Sequence, residues 1–135
     1  MPSPAPEPAP PMPDAHTLAE GLNPDQQTAF LHHHGAALVL AGAGSGKTTV
    51  LLKRIARLIG EGVPPPRILV ATFTKRAAEE MHDRLSKLLG ANAIEGIWIG
   101  TFHAHCLRIL KIETARRLGK EGRFEIADES WQKRV

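Results

Sequence analysis

A single cysteine, Cys106, is all the chain offers to disulfide chemistry, so an internal disulfide is excluded and a reducing compartment is favoured. No apolar stretch approaches the roughly 20 residues that a membrane-spanning helix needs. The opening "MPSPAPEPAPPMPDA" has neither a basic start nor an apolar core, which excludes a secretory leader. The expected compartment is therefore the cytoplasm. Basic charge is scarce in one part of the chain only. Residues 1–50 sum to a net −3 and residues 51–135 to a net +6, giving the overall +3. A basic surface on the second part suits a polyanionic partner. Charge alone does not decide the matter, because Glu80 with Arg84 and Asp83 with Lys87 stand four apart, the spacing of pairs on a solvated helix face.

What is present begins with proline. Seven prolines fall within residues 1–13, a composition that supports neither helix nor packed strand, and residues 1–17 are expected to be a disordered tail. Residues 18–135 are expected to form the ordered domain. In "NPDQQTAFLHH", Asn23 reads as an N-cap and Pro24 as the first helical residue. "AALVLA" (36–41) is short and wholly apolar, as a buried parallel strand would be. Residues 46–60 read as a helix with Leu51, Leu52, Ile55, Leu58 and Ile59 inward. "RILVATF" (67–73) reads as a second strand. Thr74 caps the next helix, whose inward stripe is Ala77, Met81, Leu85 and Leu88, and Gly90 ends it. "GIWIGTF" (96–102) is a third strand, followed by a helix over 104–118. Strand alternating with helix predicts an α/β fold, an open parallel sheet flanked by helices, with ligands at the C-terminal ends of its strands.

One such strand end carries "AGAGSGKTT", residues 41–49. Small residues at Ala41, Gly42, Ala43, Gly44, Ser45 and Gly46 let backbone N–H groups close around an anionic phosphate. The following helix N-terminus adds partial positive charge, and Lys47 a full one for the outer phosphates. Thr48 offers a hydroxyl to a magnesium ion. A glycine-rich turn with an incidental lysine is the bland alternative, but the strand before and helix after are the context of a phosphate-binding loop of a P-loop NTPase. The strict pattern has glycine where this chain has Ala41.

The neighbouring motifs carry a resemblance. "LNPDQQTA" (22–29) resembles the glutamine motif of the UvrD, Rep and PcrA family of superfamily 1 DNA helicases. "ILVATFTKRAAEEM" (68–81) resembles its motif Ia, and "GTFHAHCLRIL" (100–110) its motif Ib. The likeness covers nearly all of residues 20–128 with the motifs in order. It implies a RecA-like, P-loop NTPase domain, incomplete and cut at its C-terminus, from an enzyme that couples ATP hydrolysis to 3′-to-5′ movement on single-stranded DNA and to duplex unwinding in repair or replication. It implies ATP and Mg2+ as ligands, with Gln26 reading adenine, Lys47 and Thr48 serving catalysis, and residues 41–49 holding the nucleotide. The family's single-strand path would map onto Phe73, Thr74, Thr101, Phe102 and His103, and its partners would be single-stranded DNA and duplex junctions. Phenyl rings there can meet bases, and hydroxyls can meet phosphates. Packing in the core is the competing role for both phenylalanines.

Departures are Thr49 where many members carry an adenine-stacking arginine, Lys75 for asparagine and Ala104 for serine. "HHH" (32–34) and the group His103, His105 and Cys106 are weak metal candidates, because too few ligands converge. "FEIADES" (124–130) imitates an acidic Walker B strand, but Glu125 interrupts its apolar run. No helix stop signal precedes Val135, so the expectation is an N-terminal fragment that is inactive alone. A P-loop kinase or GTPase would share the loop without the upstream glutamine or the Thr-Phe strand ends. A nucleotide- and DNA-binding module without turnover would share every motif.

Overall fold

The computed structural model describes residues 11–118, and among them five α-helices and a two-stranded parallel sheet. Helix α1 (Ala15–Ala19) starts where the Asp14 carboxylate accepts from the Thr17 N–H at 2.7 Å. That backbone contact holds the Asp14 carboxyl below its ordinary range. The expected tail boundary at residue 17 therefore falls inside a helix. Residues 1–10 lie outside the described residues, as does the "FEIADES" segment.

Helix α2 (Pro24–Leu31) begins as its sequence dictates, with Asn23 as N-cap and Pro24 in the first turn. Asn23 Oδ1 accepts from Gln26 N–H at 2.9 Å, and Gln26 Oε1 accepts from Asn23 N–H at 3.0 Å, a reciprocal capping box. Helix α3 (Lys47–Gly60) follows the glycine-rich loop, then strand β1 (Leu69–Thr72), helix α4 (Lys75–Leu89), strand β2 (Trp98–Thr101) and helix α5 (Phe102–Leu118). The two strands run parallel, with Leu69 opposite Trp98 and Thr72 opposite Thr101. Two of the three expected strands are thus formed.

The third is not. Residues 36–41 pair with no strand among the described residues, and Leu38, Val39 and Leu40 are mostly exposed. An apolar run becomes a buried strand only when neighbours take up its backbone N–H and C=O groups, and the described sheet consists of β1 and β2 alone.

The core gathers between α3, α4 and the sheet. Val50, Leu52, Ile55 and Ala56 of α3 meet Met81, Leu85 and Leu89 of α4, with Phe30 of α2 and Val70 of β1. Of the expected inward faces, Leu52, Ile55, Leu58 and Ile59 of α3 and Met81 and Leu85 of α4 lie in or against the core, while Leu51 and Leu88 are partly exposed and Ala78 rather than Ala77 is buried. Helix α3 packs against α1, α2 and α4, so a wide arc of it is covered. That arc takes in Arg57, whose guanidinium lies 5.1 Å from the Phe30 ring centroid and whose Nε stands 3.6 Å from Glu61 Oε1. Leu85 is fully buried at the centre. Leu85→Ala is expected to cost about 2–5 kcal/mol. Urea unfolding of the chain checks this: the midpoint should fall at constant slope, whereas an unmoved midpoint would place Leu85 outside the cooperative core.

Candidate functional site

The glycine-rich loop joins the unpaired segment to α3, and two of its residues require glycine for backbone reasons. Gly44 has φ +75° and Gly46 φ +81°, the left-handed region in which a Cβ is strained. These turns bring the chain round so that α3 opens at Lys47, with Gly46 as its N-cap. Ser45 Oγ donates to the Gly42 carbonyl at 2.7 Å and tightens the turn. Lys47 folds back into the same turn: its Nζ donates to the Ala41 carbonyl at 2.7 Å and to the Gly42 carbonyl. An exposed ammonium is thereby held over a ring of backbone groups. An anion entering there would meet both the charge and the start of a 14-residue helix.

Beside the loop is a cavity of about 540 Å³, lined among others by Gln26, Ala29, Ala41, Ser45, Lys47 and Arg54. Gln26 is half-buried in its wall, with Nε2 donating to the Ser45 carbonyl at 2.9 Å. Arg54 donates to the Ala29 carbonyl at 2.9 Å, and burial, then the neighbouring Arg57, lowers its pKa from the ordinary arginine value. Thr48 is exposed in the first turn of α3, and Thr49 is half-buried on that turn. A second cleft, about 510 Å³, runs along α3 past Thr49 and is lined by Lys53, Arg84 and Lys87. Arg84 Nη2 stands 3.4 Å from Thr49 Oγ1. Sequence reasoning had assigned Arg84 only to its helical pair with Glu80, which forms at 3.8 Å. That pairing hid its second reach, across to α3. Among the described residues, Asp83 meets His82 rather than Lys87.

The strand-end motifs lie at the C-terminal ends of β1 and β2, which the parallel register places side by side. Phe73 is 94% exposed and Phe102 57% exposed, so neither is a core residue. Their ring centroids are 6.2 Å apart and the rings meet edge to face. Thr74 Oγ1 accepts from Ala77 N–H at 3.1 Å and Thr101 Oγ1 from Ala104 N–H at 3.2 Å. Each threonine therefore caps the helix that follows, and each hydroxyl keeps its own proton for another acceptor. His103 is exposed next to Phe102. His105, in contrast, is buried; its Nε2 lies 3.0 Å from the Val70 carbonyl and its ring stacks on Trp98. Among the described residues no cluster of His, Cys, Asp or Glu could hold a metal, the three consecutive histidines included. No helix among them is long and apolar enough to cross a membrane.

A loop of this shape after an apolar run, a glutamine bonded to it, and two Thr-Phe strand ends in register define the class of protein. The chain belongs to the UvrD/REP helicase N-terminal domain family, whose model matches residues 22–135. It is 45% identical over 112 residues to the ATP-dependent DNA helicase UvrD1 of Mycobacterium leprae, covering 82% of this chain and 14% of that protein. To the ATP-dependent DNA helicase PcrA of Staphylococcus aureus it is 46% identical over 121 residues, 89% of this chain and 16% of that protein. The UvrD1 helicase of Mycobacterium tuberculosis is 43% identical over 122 residues, 90% of this chain and 16% of that protein. The chain thus spans about one-sixth of the length of the curated relatives it matches.

Proposed function

We propose that this chain is the nucleotide-binding start of an ATP-dependent DNA helicase, the first part of a RecA-like P-loop domain. The observation that carries the reading is the loop at 41–48, where Lys47 and two left-handed glycines surround a helix N-terminus. In this reading the triphosphate replaces the carbonyls that Lys47 now holds. Gln26 reads adenine, and Arg84 supplies a guanidinium beside Thr49, where the family often has arginine. Thr48 fits a magnesium ion, which keeps several waters and takes few protein oxygens; its exposed hydroxyl is one such oxygen, and the ion would neutralise phosphate charge. Single-stranded DNA lies along Phe73, Thr74, Thr101, Phe102 and His103, one track across neighbouring strand ends. ATP-driven closure on a second domain would move the protein 3′ to 5′ on that strand and into duplex junctions, in cytoplasmic DNA repair or replication.

In the full-length protein, ATP turnover is expected to rise at least about tenfold on adding single-stranded DNA, a lowering of the barrier by about 1.4 kcal/mol, with strand displacement that requires both ATP and Mg2+. A phosphate-release assay with and without oligonucleotide checks it. Turnover indifferent to DNA would favour a kinase or GTPase. Binding of both ligands without turnover would leave a recognition module.

A further inference from the structure

Gln26 has a commitment that adenine recognition does not need. Its Oε1 accepts from the Asn23 N–H at 3.0 Å and its Nε2 donates to the Ser45 carbonyl at 2.9 Å. The side chain therefore ties the N-cap of α2 to the glycine turn. The approach at Gly46 is as close: a Cβ there would stand 2.9 Å from Gln26 Nε2. Gly46 is thus fixed as glycine twice over, by its φ of +81° and by the amide packed on it.

We propose that Gln26 is a positioning residue for the phosphate loop, a strut that sets the Ser45–Gly46 turn whether or not a base is bound. The inference rests on the reading of residues 41–48 as a triphosphate site. A primary amide has two N–H donors and two acceptor lone pairs. The strut and the cap use one of each. One N–H and one lone pair remain, enough for a bidentate contact with a base edge. Base reading and loop setting therefore coexist on one side chain. Within the loop, glycines at 42, 44 and 46 leave the backbone free to turn, and the tie from outside it runs through Gln26 to Ser45. Without that tie the loop must be ordered by its ligand, a cost charged to every ligand that uses its N–H groups. A pure base reader would impose no such cost on a ligand without a base.

The test is calorimetry of the full chain with magnesium tripolyphosphate and with Mg-ATP, comparing the parent with Gln26→Ala. Tripolyphosphate affinity is expected to fall about fivefold, or about 1 kcal/mol, and ATP affinity by more. Asp14→Ala removes a side-chain helix cap from α1, away from the loop, and should leave tripolyphosphate affinity at the parent value. If it does not, the loss in Gln26→Ala is general destabilisation and the strut is withdrawn. Hydrogen exchange on the ligand-free chain gives a second reading: Gln26→Ala should speed exchange at residues 44–47 while core amides such as that of Leu85 keep their protection. Unchanged tripolyphosphate affinity and unchanged exchange, with ATP affinity alone reduced, would overturn the strut and leave Gln26 a base reader. Failure of the nucleotide reading looks different. The parent would then bind neither ligand, although exchange at residues 44–47 would still respond to Gln26→Ala.

Discussion

Lys47→Ala is expected to lower ATP affinity at least about a hundredfold, or about 2.8 kcal/mol, while leaving the chain folded. The lysine is exposed and its present partners all belong to its own loop, the Ala41 and Gly42 carbonyls and, at 3.4 Å, Ser45 Oγ. Removing it frees exposed acceptors that water can reach, so the folded state loses little. A triphosphate in the proposed site would, however, lose the full positive charge that Lys47 holds over the turn, and a charge-assisted hydrogen bond is worth about twice a neutral one. Isothermal calorimetry with Mg-ATP, alongside circular dichroism, separates the two effects. Parent-like affinity in a folded Lys47→Ala chain would remove residues 41–48 from the nucleotide site.

Local signals were legible where the deciding physics is local. Asn23 and Pro24 specify the start of α2, because an N-cap side chain and a fixed φ act within one turn. Thr74 and Gly90 bound α4 for the same reason. The glycine loop is legible too, since left-handed φ at Gly44 and Gly46 is a demand of single residues. The family motifs placed Gln26, Phe73 and Phe102 near strand and helix ends, and there they stand.

What was not legible depends on neighbours. "AALVLA" reads as a buried strand from composition, yet a strand is a relation between chains of hydrogen bonds, and residues 36–41 have no described partner. The inward face of α3 was legible at Leu52, Ile55, Leu58 and Ile59 but not in its full breadth, because periodicity assumes one covered side, whereas three helices pack on it. Arg57 shows the consequence. A charged residue is assigned to solvent by type, but this one lies buried, guanidinium included, over Phe30 and beside Glu61. The double use of Gln26 was also beyond sequence, since the Ser45 carbonyl lies nineteen residues away and carries no side-chain signature.

Phe73→Ala is expected to weaken single-strand binding of the full-length protein by about 1–3 kcal/mol for the base it stacks. Packing and base stacking are the competing roles of this residue, and magnitudes separate them. A core phenylalanine cut to alanine costs about 3–5 kcal/mol of stability and damages every activity together. An exposed one away from special features changes stability by no more than about 0.5 kcal/mol. Phe73 is 94% exposed, so the second figure applies. Its ring meets that of Phe102 edge to face, at 6.2 Å between centroids, and its exposure leaves ring surface open to a base. Phe102 is 57% exposed and opens α5, so Phe102→Ala should lose DNA affinity with a somewhat larger loss of stability. On the proposed track the threonine hydroxyls and the helix N-termini they cap would face phosphates, and binding should also weaken as salt rises, in parent and variant alike. Fluorescence anisotropy with a labelled oligonucleotide across a salt series, paired with thermal melts and Mg-ATP calorimetry, reads all three quantities. The expected pattern is weaker DNA binding at every salt concentration, an unmoved melting temperature and parent-like ATP affinity. A variant that melts early and loses both ligands in parallel would return Phe73 to the core, and one that binds DNA like the parent would take it off the track.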